Sequence, residues 1–342
     1  MKILLLATDA YGGHGGIALF NRELCAAWSE HEITLLPRVI RGPVENVPPH
    51  VRFVAEAAHG KFAFLRAVGR ARREKWDLVV CGHVNLLPLA FEHPLLVVHG
   101  VEAWKRRRTP LAPCRGILSV SAVTRDRLVG WSRYGGPTYV LPNAVHLEQY
   151  GIRAKRQDLV DRYRLHGRRV LLTVGRLDSG ERSKGFDEML EVMHELPDDV
   201  VYMIAGGGND FVRLQRKAHD LGISHRVVFT GLFAESDKPD LYNLADAYVM
   251  PSRGEGFGFV FLEAMACGVP VIGSKLDGGR EALLDGKLGL LVDPTNPAEI
   301  RAAIRETLQR GERKVPEGLE YFSFDRFVER ARAIGDAAVH ED

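Results

Sequence analysis

Met250-Pro-Ser-Arg-Gly-Glu-Gly-Phe-Gly-Phe-Val-Phe-Leu-Glu263, followed by Ala-Met-Ala-Cys-Gly-Val-Pro-Val-Ile-Gly273, is the stretch that decides the fold of this chain. Ahead of Pro251, Ala247–Met250 is a short apolar run, the mark of a buried strand. Glycines at 254, 256 and 258 open a loop, Phe259–Cys267 has the pattern of a helix, and Val269–Gly273 is strand-like again. Strand, glycine loop, helix and strand make one unit of a parallel sheet. Glu255 and Glu263, with seven residues between them, put one carboxylate in the loop and one inside the helix. A helix N-terminus offers unpaired N–H groups and a partial positive charge, so this loop suits a diphosphate. Gly256 and Gly258 let backbone approach a ligand without a Cβ in the way. Glu263 is then placed to accept hydrogen bonds from ribose hydroxyls, as acidic residues do in other nucleotide folds, while Glu255 faces a sugar. The plainer alternative is two solvent-exposed glutamates flanking a helix start.

The same alternation runs outward in both directions. Strands are expected at 3–7, 33–36, 78–81, 95–99, 116–120 and 138–141. A second series is expected at 169–174, 200–205, 226–230, 247–250, 269–273 and 288–292. Between them lie amphipathic segments at 18–29, 62–74, 123–131, 186–195, 211–221 and 259–267. Two series of this kind in 342 residues predict two doubly wound α/β domains, each carrying ligand loops at the carboxyl ends of its strands. The break is expected within Pro142–Arg153, giving domains 1–150 and 151–322. The tail 323–342 has apolar residues at Phe324, Phe327, Val328, Ala331 and Ile334 and reads as one more amphipathic helix.

Composition narrows the class. Hydrophobic residues are 46% and charged residues 26% of the chain, which fills two cores and argues against disorder. The formal charge of +2 averages unlike halves: residues 1–150 hold 19 basic and 12 acidic residues, the remainder 27 and 32. A basic first half suits an anionic partner or is simply solvated surface. Its charges cluster at Lys105–Arg108 and at Arg70, Arg72, Arg73 and Lys75. No recognition module or interleaved aromatic set accompanies them, so nucleic acid is not expected. Cys25, Cys81, Cys114 and Cys267 lack C-x-x-C spacing and sit in apolar surroundings, predicting reduced thiols in a cytoplasmic protein rather than a metal site or disulfides. The first apolar run is too short for a signal peptide, and no run reaches a membrane-spanning length of about 18 residues.

Around the quoted stretch the chain resembles the retaining glycosyltransferases of family 4, which have the GT-B fold. The resemblance rests on the E-x7-E motif with Ala264-Met-Ala-Cys-Gly-Val-Pro-Val-Ile272 behind it. It is supported by Val174-Gly-Arg-Leu177, Ser183-Lys-Gly-Phe186, Ile204-Ala-Gly-Gly-Gly208, Gly278-Gly-Arg-Glu281 and Gly289-Leu-Leu-Val292. It implies two Rossmann-like domains facing across a cleft, with the last helix crossing back to the first. The second domain would bind a nucleoside diphosphate sugar, UDP-hexose or GDP-mannose, and the first a saccharide or lipid-linked acceptor. Arg176 and Lys184 would stabilise the leaving diphosphate, which removes the need for a metal or other cofactor. Glu255 would contact sugar hydroxyls and Glu263 the ribose. Phe257, Phe259 and Val260 belong to the same donor loop, and Gly206 and Gly231 complete the expected donor-side set.

In the first half, Gly12-Gly-His-Gly-Gly-Ile17 follows a strand and opens a helix, a turn that also suits an anion. The family's Gly-Gly pair is best matched by Gly15 and Gly16, near the donor phosphates. The resemblance makes His99 the residue that meets the transferred sugar, with His14, His83 and His146 weaker candidates. Ser121 and Arg125 match a segment on the acceptor side. Asn143 still fits the family's pattern, although Pro142-Asn-Ala-Val-His146 departs from the commoner Pro-Asn-Gly-Val-Asp and leaves His146 without an assigned role. Peripheral contact with a membrane through the basic half is a further expectation. The competing readings are a nucleotide-sugar epimerase of the same fold and a non-catalytic nucleotide-sugar-binding protein. A nicotinamide dehydrogenase is disfavoured, because neither glycine loop reads G-x-G-x-x-G with a following acid.

Overall fold

The computed structural model describes residues 1–104, 110–311 and 313–340. The chain divides into two units: Met1–Ala144 together with the segment from Phe324 onward, and Val145–Ser323.

The first unit is built on β1 (Lys2–Ala7), β2 (Glu32–Pro37), β3 (Val51–Phe53), β4 (Leu78–Cys81), β5 (Leu95–Val98), β6 (Gly116–Ser119) and β7 (Thr138–Val140). All pair in parallel, in the order β3-β2-β1-β4-β5-β6-β7. A parallel sheet is covered on both faces, so its strands are continuous rather than alternating apolar runs. Ile3, Leu4, Leu5 and Leu6 of β1 are accordingly no more than 1% exposed. β3 was not expected from the sequence. It is three residues long at the sheet edge, with Arg52 between its two apolar residues, and carries too little pattern to read.

The helix Phe324–His340 belongs to this first unit. Phe327 meets Phe20 edge to face at 5.9 Å, Trp28 Nε1 donates to the Ala331 carbonyl at 2.9 Å, and Arg115 donates to the Ala338 carbonyl at 2.8 Å. Trp28 is 1% exposed, so its indole N–H needs the partner the terminal helix supplies.

The second unit contains β8 (Arg169–Val174), β9 (Val200–Ala205), β10 (Val227–Gly231), β11 (Ala247–Met250), β12 (Val271–Ser274) and β13 (Leu290–Val292). The strands run parallel in the order β10-β9-β8-β11-β12-β13. In both units the chain winds outward from a central strand, then returns to that strand's other side. The switch points fall between β1 and β4 and between β8 and β11, where doubly wound sheets open a crevice at their carboxyl edge.

Cys25, Cys81, Cys114 and Cys267 are all buried and unbridged. Burial pushes the first three thiols up to about 12, which suppresses the reactive thiolate. Among the described residues, no helix is long and apolar enough to cross a membrane.

Candidate active site

The loops that leave the second sheet at its carboxyl edge carry the candidate donor residues. Arg176 follows β8, Gly206 follows β9, Gly231 ends β10, Glu255 lies beyond β11 and Asp277 beyond β12. Lys184 comes from the long loop after β8 and ends a single helical turn, Arg182–Lys184. Its Nζ donates to Glu255 Oε2 at 2.9 Å, and the two side chains are only 23% and 16% exposed. The Glu255 charge holds the Lys184 ammonium above its ordinary range. Burial pushes the Glu255 carboxyl up, but Lys184 and backbone amides more than offset it, leaving the group below its ordinary range. The pair is therefore ionic across neutral pH.

Backbone packing sets this pair in place. Gly185 has φ +84°, and a Cβ there would lie 2.6 Å from the Pro251 carbonyl oxygen, so only glycine lets the Lys184 loop pass the end of β11. Arg253 N donates to the Ser183 carbonyl at 2.7 Å, and the Arg253 side chain pairs with Glu188 on the next helix. Beneath Arg176 a second close approach occurs, where a Cβ at Gly206 would stand 2.0 Å from the Gly175 carbonyl oxygen. Gly206 thus seats the Arg176 loop, and Leu177 N bonds the Gly207 carbonyl at 2.9 Å. The Arg176 guanidinium is paired with Glu181 at 2.9 Å and lies 3.8 Å from Asp178. Arg176 is near enough for its charge to be felt at Lys184. Arg182 turns instead toward Asp210, at 3.2 Å.

The glycine loop is pinned by Asp277, a residue the sequence reading did not single out. Asp277 is fully buried and accepts from Ser252 Oγ (2.7 Å), Glu255 N (2.9 Å) and Gly279 N (3.0 Å). Burial pushes its carboxyl up to about 7 despite these donors. The helix Phe259–Ala266 starts at Gly258, and no side chain caps it. Phe259 and Val260 are its first residues, half-buried, where N–H groups have no intrahelical acceptor. Phe257 is 1% exposed and packs edge to face on Phe322 at 5.5 Å, anchoring the loop from below. Glu263, a turn into the helix, is held by Lys238 at 3.0 Å and Tyr242 at 2.6 Å. Lys238 and Tyr242 were missed because their helix, Lys238–Leu244, has seven residues and a weak sequence pattern.

In the first unit the candidates likewise lie beyond strand ends. His99, after β5, donates from Nε2 to the Gly82 carbonyl at 3.0 Å, and its own N–H donates to Glu102 at 2.7 Å. A carbonyl only accepts, so Nε2 carries the proton and a neutral ring has Nδ1 as its acceptor. Burial holds the His99 imidazole below its ordinary range. Its ring meets Phe20 at 5.1 Å, the same phenylalanine that touches the terminal helix. Gly15 is the residue before the helix Gly16–Ala27. The preceding turn is braced by Arg22, which donates to the Ala10 and Gly13 carbonyls at 3.1 and 2.9 Å. Ser121 caps the helix Ala122–Ser132 through Thr124 N at 3.1 Å, and Arg125 pairs with Asp126 at 2.7 Å. Asn143 is 6% exposed, and its Oδ1 has no hydrogen-bond partner among the described residues. The Lys105–Arg108 cluster lies outside the described residues. Arg70 lies on the helix Lys61–Ala71, whose exposed side also carries Phe62, 85% exposed.

Comparison with known proteins gives this arrangement a family. Residues 156–317 match the model of the family described as glycosyl transferases group 1. D-inositol 3-phosphate glycosyltransferase of Geodermatophilus obscurus is 30% identical over 328 residues, 89% of this chain and 70% of that protein. GDP-mannose-dependent alpha-(1-6)-phosphatidylinositol monomannoside mannosyltransferase of Mycolicibacterium smegmatis is 33% identical over 226 residues, 62% of this chain. The match spans 58% of that mannosyltransferase and 54% of its Mycobacterium tuberculosis counterpart, little more than half of each. Among solved structures, Anabaena Alr3699/HepE in complex with UDP and glucose aligns with TM-score 0.76 at 21% identity, over 98% of this chain and 100% of that one. Sucrose-phosphate synthase of Thermosynechococcus elongatus aligns with TM-score 0.72 at 20% identity, over 99% of this chain and 96% of that one. The fold is the two-domain Rossmann-like GT-B fold. The chain belongs to the glycosyl transferases group 1 family.

Proposed function

We propose that the chain is a retaining glycosyltransferase of family 4 that transfers a hexosyl group from a nucleoside diphosphate sugar to a saccharide or lipid-linked hydroxyl. The observation that carries this reading is the Lys184–Glu255 pair, 2.9 Å apart and mostly out of water, beside Arg176 and the uncapped helix start at Gly258. On this reading the bond between the anomeric carbon and the leaving diphosphate oxygen breaks, and its electron pair stays on the diphosphate. Lys184 and Arg176 stabilise that growing charge without a metal ion. The acceptor oxygen bonds to the anomeric carbon on the same face, and its proton passes to the departing phosphate. Glu255 binds sugar hydroxyls, His99 accepts from another through Nδ1, and Glu263 binds the ribose.

The GDP-mannose-dependent mannosyltransferase relative favours GDP-mannose as donor, with UDP-hexose as the alternative. The test is release of UDP or GDP from UDP-hexoses and GDP-mannose, with EDTA, with and without a pool of saccharide and lipid-linked acceptors. Acceptor-dependent release supports transfer. Interconversion of donor epimers supports the epimerase, and binding without turnover supports a non-catalytic protein.

An anionic bilayer is proposed as a second partner of the first unit. On the helix Lys61–Ala71, Phe62 stands 85% exposed and Leu65 36% exposed, among exposed Lys61, Arg66 and Arg70. The acid that follows, Glu74, is paired with Lys2 at 2.8 Å. An apolar residue within a basic helical face suits the surface of anionic lipid.

A further inference from the structure

Arg176 is held by an anion of its own loop. Its guanidinium donates to Glu181 Oε2 at 2.9 Å, with the arginine side chain 58% and the glutamate 29% exposed. The sequence between them explains the pairing. Asp178-Ser-Gly-Glu181 closes a turn in which Glu181 N donates to the Asp178 carbonyl at 3.0 Å. An aspartate at the head of such a turn accepts from the backbone two residues on, and Asp178 Oδ1 does so from Gly180 N at 2.8 Å. Asn209 Oδ1 accepts from Ser179 N, also at 2.8 Å, which ties the turn to the segment after β9. Arg182, next in the chain, is drawn to the buried Asp210 at 3.2 Å. The backbone that delivers Glu181 is thus fixed by bonds that do not use the Glu181 side chain.

The other carboxylate near Arg176, Asp178 at 3.8 Å, is committed to that turn. The Glu181 charge also reaches Lys184, where it favours the ammonium. One internal carboxylate therefore acts on both cations that the proposed function assigns to the leaving diphosphate. An ion pair this exposed contributes little to stability, whereas a diphosphate brings more charge and several oxygens that a guanidinium can grip in pairs. We propose that Glu181 sets the affinity of the donor site: it serves Arg176 as an internal counter-anion, and the diphosphate of the donor must take its place. This rests on the nucleotide-sugar reading above and adds to it a competitor built into the chain. After transfer the same carboxylate recaptures Arg176, which keeps the nucleoside diphosphate product from binding too tightly.

The test is titration calorimetry of UDP and GDP against wild type, Glu181→Gln, Arg176→Gln and the double variant, with thermal melting to confirm that each is folded. Glu306→Gln, at an exposed position on the helix Pro297–Arg310, controls for the loss of one negative charge. Glu181→Gln should bind the nucleotide that wild type prefers about three- to tenfold more tightly, the range expected from releasing an exposed ion pair and one like charge. Glu306→Gln should stay within about 1.5-fold of wild type, because a distant exposed charge is screened. In the Arg176→Gln background the gain from Glu181→Gln should shrink to about 1.5-fold or less, since the two residues act as a pair. Unchanged or weaker binding by a folded Glu181→Gln protein overturns the counter-anion role, and so does an equal gain with and without Arg176. A wild-type protein that binds neither UDP nor GDP overturns the donor-site reading itself, and the role of Glu181 with it.

Discussion

Lys184 meets Glu255 because Gly185 packs directly on Pro251: a Cβ at Gly185 would lie 2.6 Å from the Pro251 carbonyl oxygen. The cation and the carboxylate come from loops 71 residues apart in the chain, and this backbone crossing joins them at 2.9 Å. The local geometry therefore has more to do with the pair than the flexibility of the lysine stem.

Gly185→Ala tests that crossing. Its φ of +84° alone costs an L-residue about 1–2 kcal/mol, and the contact with Pro251 adds to this. Gly167→Ala is the control, since Gly167 has φ +65° with nothing within 4 Å of the added Cβ. Urea denaturation should show Gly185→Ala as the less stable by about 1 kcal/mol or more. Equal losses in the two variants would remove the argument for the crossing.

Lys184→Ala should slow transfer by about 10²–10³-fold, the usual effect of deleting one group that stabilises transition-state charge. It also leaves Glu255 buried without its counter-charge, so Glu255→Gln in the same background should recover stability but not turnover. The readouts are kcat and thermal melting on the single and double variants. Wild-type turnover in Lys184→Ala would exclude it from the catalytic machinery.

Asp277 gives the second unit a pH signature. Its folded pKa of about 7 lies above the ordinary aspartate value. The folded state then binds the proton more tightly than the unfolded state, and its contribution to stability is lost as pH rises from about 4 to 7. Asp277→Asn cannot titrate. Its stability relative to wild type should therefore rise across that window and level off above pH 7, as measured by denaturant midpoints at fixed ionic strength. A flat difference from pH 4 to 8 would show that Asp277 titrates normally.

The basic face of the first unit makes its own prediction. Co-sedimentation with vesicles of anionic phosphatidylglycerol should exceed that with phosphatidylcholine and fall as salt is raised. Phe62→Ser and Arg66→Glu should each weaken it, with no change in melting temperature, because both side chains are exposed. Equal binding to neutral vesicles, or none to anionic ones, would remove the membrane as a partner.

Much of the second sheet was legible because buried parallel strands write themselves as short apolar runs. Arg169–Val174, Val200–Ala205 and Ala247–Met250 were read to the residue. β3 was not, since three residues with one buried position carry no period. The glutamates stood out through their glycine loop, whereas Arg176 and Lys184 stood out only through the resemblance to a known family, because an arginine and a lysine in a loop are ordinarily surface. What holds them did not. The burial of Asp277 and the approach of Lys238 and Tyr242 to Glu263 depend on packing between elements, and a lone aspartate before two glycines or a lysine before a proline announces neither. Gly206 shows the converse, a glycine whose local setting suggests a ligand but whose missing side chain makes way for the Gly175 carbonyl.

On the proposed function, Lys184, Arg176 and the helix start at Gly258 form a nucleoside diphosphate site that needs no metal. Thermal melting with UDP, GDP and ADP in the presence of EDTA tests it most directly. A ligand at a hundred times its Kd contributes about 2.7 kcal/mol. One of the three should therefore raise the melting temperature by about 5 °C or more, with EDTA making no difference and Lys184→Ala abolishing most of the shift. No shift with any nucleotide, or a shift that EDTA removes, would rule out a metal-free diphosphate site at Lys184 and Arg176.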